Sequence, residues 1–193
     1  MTRVVIATVF AFSLALLGCE SKPVFNALDI TGIPGYGNDF RLTDHTGKQR
    51  TMADFRGKVV VMFFGYTHCP DVCPTTLSEM RQVMQLLGSN AQRLQVLFVT
   101  VDPVRDTPEL LSKYVPSFNP AFLGLYGDNA ATEKMAKDFK IIYRVAAGKS
   151  AESYTIDHSA ASLVFDRQGH LRLFINYGLG ADKIAPDIKK LLQ

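Results

Sequence analysis

The sequence predicts an α/β protein with a central mixed sheet and helices on both of its faces. Two apolar runs rich in β-branched and aromatic residues, 58–66 and 94–101, lack the polar alternation that marks a half-exposed strand. Both are therefore expected to be strands buried on two faces. After the first run, apolar residues stand three and four positions apart, which predicts an amphipathic helix. After the second run, Thr107 and Pro108 are the cap and first residue of another helix.

Turn and capping residues set the bounds of the other elements. Asp44-His45-Thr46-Gly47 predicts a hairpin between residues 39–43 and 48–52. Pro74 is expected at the first position of the first helix, with Gly88 just after its end. The remaining expected elements are a strand at 122–126, a helix from Asp128 or Asn129 to about 140, strands at 141–146, 163–166 and 171–177, and a helix at 181–192. This order is that of a thioredoxin-like fold with an added N-terminal hairpin.

The composition is that of a single globular domain. The chain has 193 residues, of which 47% are hydrophobic and 20% charged, and this excludes a disordered or collagen-like chain. The formal net charge is +3, and no run of Lys or Arg forms a local basic patch. Nucleic acid is therefore not expected as a partner.

The N-terminus predicts export from the cytoplasm. Residues 1–18 combine a basic start, an apolar run and a final glycine, which is typical of a signal peptide, and the run is shorter than the roughly 20 residues of a membrane span. Leu16-Leu17-Gly18-Cys19 resembles a bacterial lipobox. Cys19 is therefore expected to carry a lipid that anchors the protein to a membrane of the bacterial cell envelope, facing the periplasm or the outside. The alternatives are an uncleaved anchor, or an unmodified signal with an incidental cysteine. Residues 19–38 are then expected to be a tether, and residues 39–193 the folded domain.

The other two cysteines lie where the first buried strand turns into its helix. Sites in open α/β sheets form at the carboxyl ends of strands, so Cys69 and Cys73 are candidates for chemistry. Cys73 directly precedes Pro74 and is expected at the helix cap, where the positive helix end lowers a thiol pKa. The pair suits either a redox-active disulfide or two bonds to a soft metal ion. A purely structural disulfide is the plainer alternative, but so short a loop restricts the unfolded chain little.

A metal would need a third ligand, and four histidines are available. His45 is expected to be solvated in a polar turn, His68 to point away from the neighbouring cysteine, and His170 to begin an edge-like strand. His158 precedes the strand at 163–166. In a thioredoxin-like fold, the loop before that strand packs against the cysteine loop. His158 is therefore the geometrical candidate, although a lone histidine is more often structural.

The chemistry of these donors favours some metals over others. Two thiolates and one imidazole form a soft set that suits Cu(I), whereas Cu(II) would also draw on oxygen donors and zinc would take a fourth ligand. Such oxygens are offered by Asp71, Asp102 and Asp157. Each of these is equally a turn residue.

Three separated motifs resemble the Sco/SenC family of membrane-attached copper proteins. They are GYTHCPDVCPTTL at 65–77, VDPVRDTP at 101–108 and DHS at 157–159, and the resemblance extends from about residue 36 to the C-terminus. It implies that Cys69, Cys73 and His158 bind copper as Cu(I) or Cu(II), with Asp102 as a candidate beside the ligands. It also implies a role in assembling a copper centre of cytochrome c oxidase, with the oxidase subunit and an upstream copper donor as partners. Arg105 and Thr107 are expected to shape their loop and cap its helix.

Related families with the same fold fit less well. Thioredoxins have two residues between their cysteines and a cis-proline before the strand at 163–166, whereas this chain has three residues and Ser159-Ala160-Ala161-Ser162. Peroxiredoxins require Thr and Pro where this chain has Pro70 and Tyr66. One enzymatic alternative stays open, a thiol–disulfide reductase that acts on cysteines of the oxidase subunit and needs the two cysteines but not the histidine.

Overall fold

A computed structural model describes residues 23–148 and 153–193 of the chain. The predicted signal peptide at 1–18 and Cys19 lie outside the described residues. Among the helices of the described part, none is long and apolar enough to span a membrane. The described strands are β1 (Leu28–Asp29), β2 (Leu42–Asp44), β3 (Gln49–Arg50), β4 (Val59–Gly65), β5 (Leu94–Thr100), β6 (Leu123–Tyr126), β7 (Tyr143–Ala146), β8 (Thr155–His158), β9 (Ser162–Phe165) and β10 (Leu171–Ile175). The described helices are α1 (Val72–Leu87), α2 (Pro108–Phe118), α3 (Asn129–Asp138) and α4 (Ala181–Leu191), with 3₁₀ helices at Met52–Phe55 and Gly88–Arg93.

The central sheet is mixed, as the sequence predicts. Its strand order is β1-β10-β9-β4-β5-β6-β2-β3. Strands β4, β5 and β6 run parallel, while the pairs on both sides of this group are antiparallel. Every residue of β4 and β5 is buried, which confirms the prediction from their unbroken apolar runs. Parallel strands need crossover connections, and α1 and α2 supply them.

Neighbouring phenylalanines of β4 show how the helices are distributed over the two faces. Phe63 contacts Phe98, which in turn contacts Tyr114 of α2. Phe64 points the opposite way and contacts Phe139, just after α3. Because successive side chains of a strand alternate, α2 and α3 cover opposite faces of the sheet. The α/β class with helices on both faces is therefore confirmed.

The polar sequence between β7 and β9 contains a strand that sequence analysis expected as a loop. Residues Thr155–His158 pair antiparallel with β7 in a separate two-stranded sheet, which we call the β7–β8 ribbon. His158 is the last residue of this strand rather than part of a loop. The alternation of buried Ile156 with exposed neighbours is too short a pattern to mark a strand in the sequence.

Part of the segment expected to be a tether packs onto the domain. Leu28 and Asp29 pair with β10 at one edge of the sheet. The backbone N–H groups of Asn26 and Ala27 both donate to the buried carboxylate of Asp187 in α4, at 2.8 Å. The packed structure therefore begins before residue 39, because pairing with β10 and hydrogen bonds to α4 hold this segment on the domain.

Candidate metal site

The end of β4 leaves space for a sulfur atom. Gly65 is the last residue of β4, and a Cβ atom built there would lie 2.7 Å from the Cys73 sulfur and 2.9 Å from the Phe98 ring. Real Cβ atoms do not approach heavy atoms so closely. Glycine at this position therefore allows the Cys73 side chain to pack directly against the strand.

The loop after β4 is fastened to the loop after β5 by a buried carboxylate. Asp106 accepts hydrogen bonds from the Thr67 hydroxyl at 2.6 Å, the Thr67 N–H at 3.0 Å and the Thr100 hydroxyl at 2.6 Å. Burial raises the pKa of Asp106, and these hydrogen bonds oppose the rise. Because Thr67 stands two residues before Cys69, these bonds hold the start of the cysteine segment.

The two cysteines differ in their environment. Helix α1 begins at Val72 with Asp71 as its N-cap, so Cys73 is the second helical residue instead of the cap. Cys73 is fully buried, whereas Cys69 is partly exposed, and both are free thiols. Burial raises the pKa of the Cys73 thiol, and this effect outweighs the others at the site. The expected lowering of the Cys73 pKa is therefore contradicted, because burial disfavours the charged thiolate.

The imidazole of His158 points its unprotonated nitrogen at the sulfur of Cys73. Its Nδ1 lies 3.0 Å from the Ser159 carbonyl oxygen, which can only accept, so Nδ1 carries the proton. Nε2 then faces Cys73 Sγ at 3.5 Å. Burial lowers the pKa of His158, which favours the neutral ring. The ring packs edge-on against Tyr66 and Phe63, with centroids about 6 Å apart.

Three ligand atoms converge at this place. The sulfur atoms of Cys69 and Cys73 and a ring nitrogen of His158 all lie within 4.8 Å of one another. In the described part of the chain, no other such group of His, Cys, Asp or Glu side chains is present. The histidine that sequence analysis selected is therefore the one that the fold brings to the cysteines.

The other histidines lie apart from this group. His68 is exposed, and its ring stands 3.8 Å from Asp106. His170 is exposed beside Asp166. His45, expected to be solvated, instead accepts a hydrogen bond from the Gly124 N–H at 3.0 Å. This bond fixes the hairpin turn to β6, so its role is structural.

Asp102 supports the ribbon through two partners. Its carboxylate accepts from Arg105 Nε at 2.5 Å and from the Tyr154 hydroxyl at 2.7 Å. Arg105 also donates to the Tyr154 carbonyl at 2.8 Å, and its guanidinium lies 3.5 Å from the centre of the Tyr154 ring. Because Tyr154 directly precedes β8, these contacts anchor the strand that carries His158.

A second anchor reaches the middle of β8. The hydroxyl of Tyr66 accepts a hydrogen bond from the Ile156 N–H at 3.2 Å, and the guanidinium of Arg105 lies 5.6 Å from the Tyr66 ring centre. Tyr66 thus links the segment that carries Cys69 to Arg105 and to strand β8, which carries His158. Sequence analysis left out Tyr66, Asp106 and Tyr154 as site residues. Asp106 lies in the VDPVRDTP motif and Tyr66 in the GYTHCPDVCPTTL motif, which offered a signal for both, whereas Tyr154 lies in none of the three motifs.

A cleft of about 380 Å³ opens beside the three ligand residues. One wall is the segment 69–72 and the other is the strand Thr155–His158. Asp71 and Asp157 belong to opposite walls, and both residues are exposed. Cys69 lines this cleft, so the site can be reached from solvent through Cys69.

A family model and curated relatives match this chain. The model described as SCO1/SenC matches residues 30–193. The mitochondrial protein SCO2 homolog of Homo sapiens is 34% identical over 154 residues, which cover 79% of this chain and 58% of that protein. An SCO2-like protein of Rickettsia prowazekii is 34% identical over 149 residues, covering 77% of this chain and 73% of that protein. The chain thus spans a little over half the length of the human relative.

Solved structures match the same part of the chain. The structure of Bradyrhizobium japonicum ScoI with copper bound superposes with a TM-score of 0.75 at 38% sequence identity. The match covers 81% of this chain and 99% of that chain.

Proposed function

The chain belongs to the SCO1/SenC family, and we propose that it binds copper through Cys69, Cys73 and His158 and delivers it to a cytochrome c oxidase subunit. The observation that carries this proposal is the convergence of two sulfur atoms and an imidazole nitrogen within 4.8 Å. Two thiolates and one imidazole form a ligand set that suits Cu(I). The solved relative with copper bound supports the same cargo.

The orientation of the histidine supports metal binding. Its Nδ1 proton is held by the Ser159 carbonyl, which leaves the Nε2 lone pair directed at Cys73. Such a hydrogen bond behind a ligating imidazole fixes both its tautomer and its ring direction. Asp102 supports the position of His158 without binding the metal, because its carboxylate is already engaged by Arg105 and Tyr154.

The unequal exposure of the two cysteine ligands suits a protein that transfers its copper to another protein. Cys73 is buried and Cys69 is partly exposed, so an acceptor ligand reaches the metal first from the Cys69 side. Copper would arrive from an upstream donor and leave to the oxidase subunit by exchange of ligands at this side. The thiol protons are released on copper binding, because a thiolate is the ligating form.

The proposal is tested by titrating reduced, metal-free protein with Cu(I) in the presence of a competing chelator. One copper per chain is expected, and His158→Ala should weaken binding about 100-fold or more, beyond the loss typical of an outer partner. His170→Ala is the matched control, because that side chain is exposed and apart from the sulfurs. Unchanged affinity in His158→Ala would contradict the three-ligand site.

Thiol–disulfide exchange is a second candidate, favoured by the pairing of a partly exposed with a buried cysteine. Cys69 as thiolate would attack a client disulfide and release one client thiol. Cys73 would then attack the mixed disulfide, releasing the second client thiol and leaving a Cys69–Cys73 disulfide. A single-turnover assay with an oxidised client peptide separates the two functions. The reductase requires both cysteines and should be retained in His158→Ala, whereas copper delivery should not.

We propose further that Cys19 is lipidated and anchors the protein in a bacterial envelope membrane. The support is the sequence Leu16-Leu17-Gly18-Cys19 after an apolar run. Mass spectrometry of the mature N-terminus should show a diacylated cysteine at position 19. The variant Cys19→Ser should lose the lipid and leave the membrane fraction, and a membrane-bound, unmodified Cys19 would contradict the proposal.

A further inference from the structure

The outer edge of β8 faces the cleft beside the metal ligands. The N–H of Ser159 donates to the carbonyl of Ile142, so these opposed residues form a hydrogen-bonded pair. In an antiparallel ladder such pairs alternate, and the backbone groups of Ile156 and His158 therefore point away from β7. The bond from the Ile156 N–H to the Tyr66 hydroxyl, on the far side of the cleft, agrees with this direction.

The N–H of His158 on this edge is available to another strand, whereas that of Ile156 is held by the Tyr66 hydroxyl. Among the described residues, none accepts a hydrogen bond from the His158 N–H. Strand β8 pairs with β7 alone, so its other edge is unpaired along the wall of the cleft. An edge of this kind is a template for an extended peptide, which adds as a further strand.

The side chains of β8 determine what such a strand would place at the metal. Ile156 and His158 share the face that turns inward, whereas Thr155 and Asp157 turn outward to solvent. A residue of an added strand directly opposite His158 has its Cβ about 5 Å from that of His158. A sulfur-containing side chain there would lie beside the group of Cys69, Cys73 and His158.

The charge of the cleft restricts the partner further. Asp71 and Asp157 are exposed on opposite walls, and among the described residues that line the cleft none is Lys or Arg. A segment that carries Lys or Arg on either side of its sulfur-containing residue would complement both carboxylates.

We propose that an extended, positively flanked segment of the copper-receiving protein, with a Cys or Met at its centre, pairs with the outer edge of β8. The inference rests on the proposed function, because it identifies the acceptor that the copper site serves. Main-chain hydrogen bonds with His158 set the register, since the Ile156 N–H is already held by the Tyr66 hydroxyl, and the register places the acceptor sulfur at the site. Asp71 and Asp157 select the positive flanks.

The test uses the full chain, reduced and metal-free in detergent, with the blocked peptide Lys-Val-Thr-Met-Thr-Val-Lys as the probe. Methionine replaces cysteine so that no disulfide can form with Cys69. Saturating peptide should slow hydrogen exchange of the His158 amide about fivefold or more, because that N–H gains a partner. The same peptide with alternate amides N-methylated should give no protection, since it cannot pair as a strand.

Charge variants provide the matched comparison. Asp71→Asn and Asp157→Asn should each weaken peptide binding about threefold, the effect of an exposed ion pair. Asp182→Asn alters an exposed carboxylate at the start of α4, outside this cleft, and should leave binding unchanged. Equal binding of the N-methylated peptide, or protection elsewhere without protection at His158, would overturn strand pairing. Because the probe is measured without copper, a failure here leaves the Cu(I) titration to decide the proposed function on its own.

Discussion

Gly65→Ala is expected to displace the sulfur of Cys73 and so to disturb the metal site. The added methyl group would lie 2.7 Å from the Cys73 sulfur and 2.9 and 3.0 Å from the Phe98 and Phe63 rings. Ordinary contacts of Cβ atoms begin at 3.4 Å, so the sulfur or the strand must move by about 0.7 Å. Since β4 is buried and paired on both sides, movement of Cys73 away from the strand meets the least resistance.

The size of the effect follows from overpacking of a buried site. Inserting one methyl group into a well-packed core costs about 1–3 kcal/mol in free energy of unfolding. Replacing glycine within a strand regains about 0.5–1 kcal/mol of this, because the unfolded chain loses flexibility. A net loss of up to about 2.5 kcal/mol is expected, and the displaced sulfur should weaken copper binding about tenfold or more.

Denaturant unfolding of metal-free protein measures the first quantity, and Cu(I) competition with a chelator measures the second. Gly124→Ala is the matched control, because Gly124 is a buried strand glycine in the same sheet, under α2. Its added methyl would meet a Val115 methyl group at 3.1 Å, and this side-chain end can shift by a few tenths of an ångström, while Leu111 at 3.4 Å would be in ordinary contact. The control should alter stability by less than about 1 kcal/mol and leave copper affinity unchanged.

Copper binding by Gly65→Ala as tight as that of the native chain would contradict this role of Gly65. An equal loss of copper affinity in both glycine variants would also contradict it, because the effect would then come from general loosening of the sheet. A selective loss in Gly65→Ala ties the position of the Cys73 sulfur to the absence of a side chain at residue 65.

Three further predictions concern buried polar groups. Arg105→Ala should release Tyr154, and with it the start of β8, from Asp102. Amide hydrogen exchange at residues 155–158 should then become faster, and copper binding should weaken about tenfold. Unchanged exchange at these residues would contradict the anchoring role of Arg105. Asp106→Asn removes the charge that strengthens three buried hydrogen bonds, so denaturant unfolding should show a loss of about 1.5–3 kcal/mol, and a neutral result would count against it. Burial opposes ionisation of Asp44, but hydrogen bonds from Thr46 and Arg50 outweigh it and lower its pKa to about 2. The ionised carboxylate therefore contributes about 2 kcal/mol to the free energy of unfolding above about pH 4, and this contribution is lost as the pH falls through about 2. The free energies of unfolding of Asp44→Asn and the native chain should converge at that pH. A difference that persists at low pH would contradict this.

The main elements of the fold could be predicted because their causes are local. The unbroken apolar runs of β4 and β5 require burial on two faces, and Thr107 caps α2 through its own hydroxyl at the Leu110 N–H. Strand β8 could not be predicted in this way. Its four residues carry too weak a pattern, and it exists because it pairs with β7 and is held by Tyr66 and Arg105.

The features of the metal site also differ in whether they could be predicted from local sequence. The spacing of Cys69 and Cys73 at the end of a buried strand is visible in the sequence, and the three motifs that resemble the Sco/SenC family single out His158. The raised pKa of Cys73 could not be foreseen, because it depends on how completely other segments cover the sulfur. Sequence position next to a helix start suggests the opposite direction.

The α/β class, the buried strands, the caps of α2 and α3 and the two sulfur donors could be predicted from the sequence, since they depend on residues close together in the chain. The position of His158 Nε2 at the Cys73 sulfur, 85 residues away in the chain, is visible only in the folded structure, as are the contacts by which Tyr66, Tyr154 and Asp106 hold the neighbouring loops. The physical reason is that distances across loops and the dehydration of a buried group arise from packing of distant segments. Neither the distances nor the extent of dehydration can be read from a local pattern of residues.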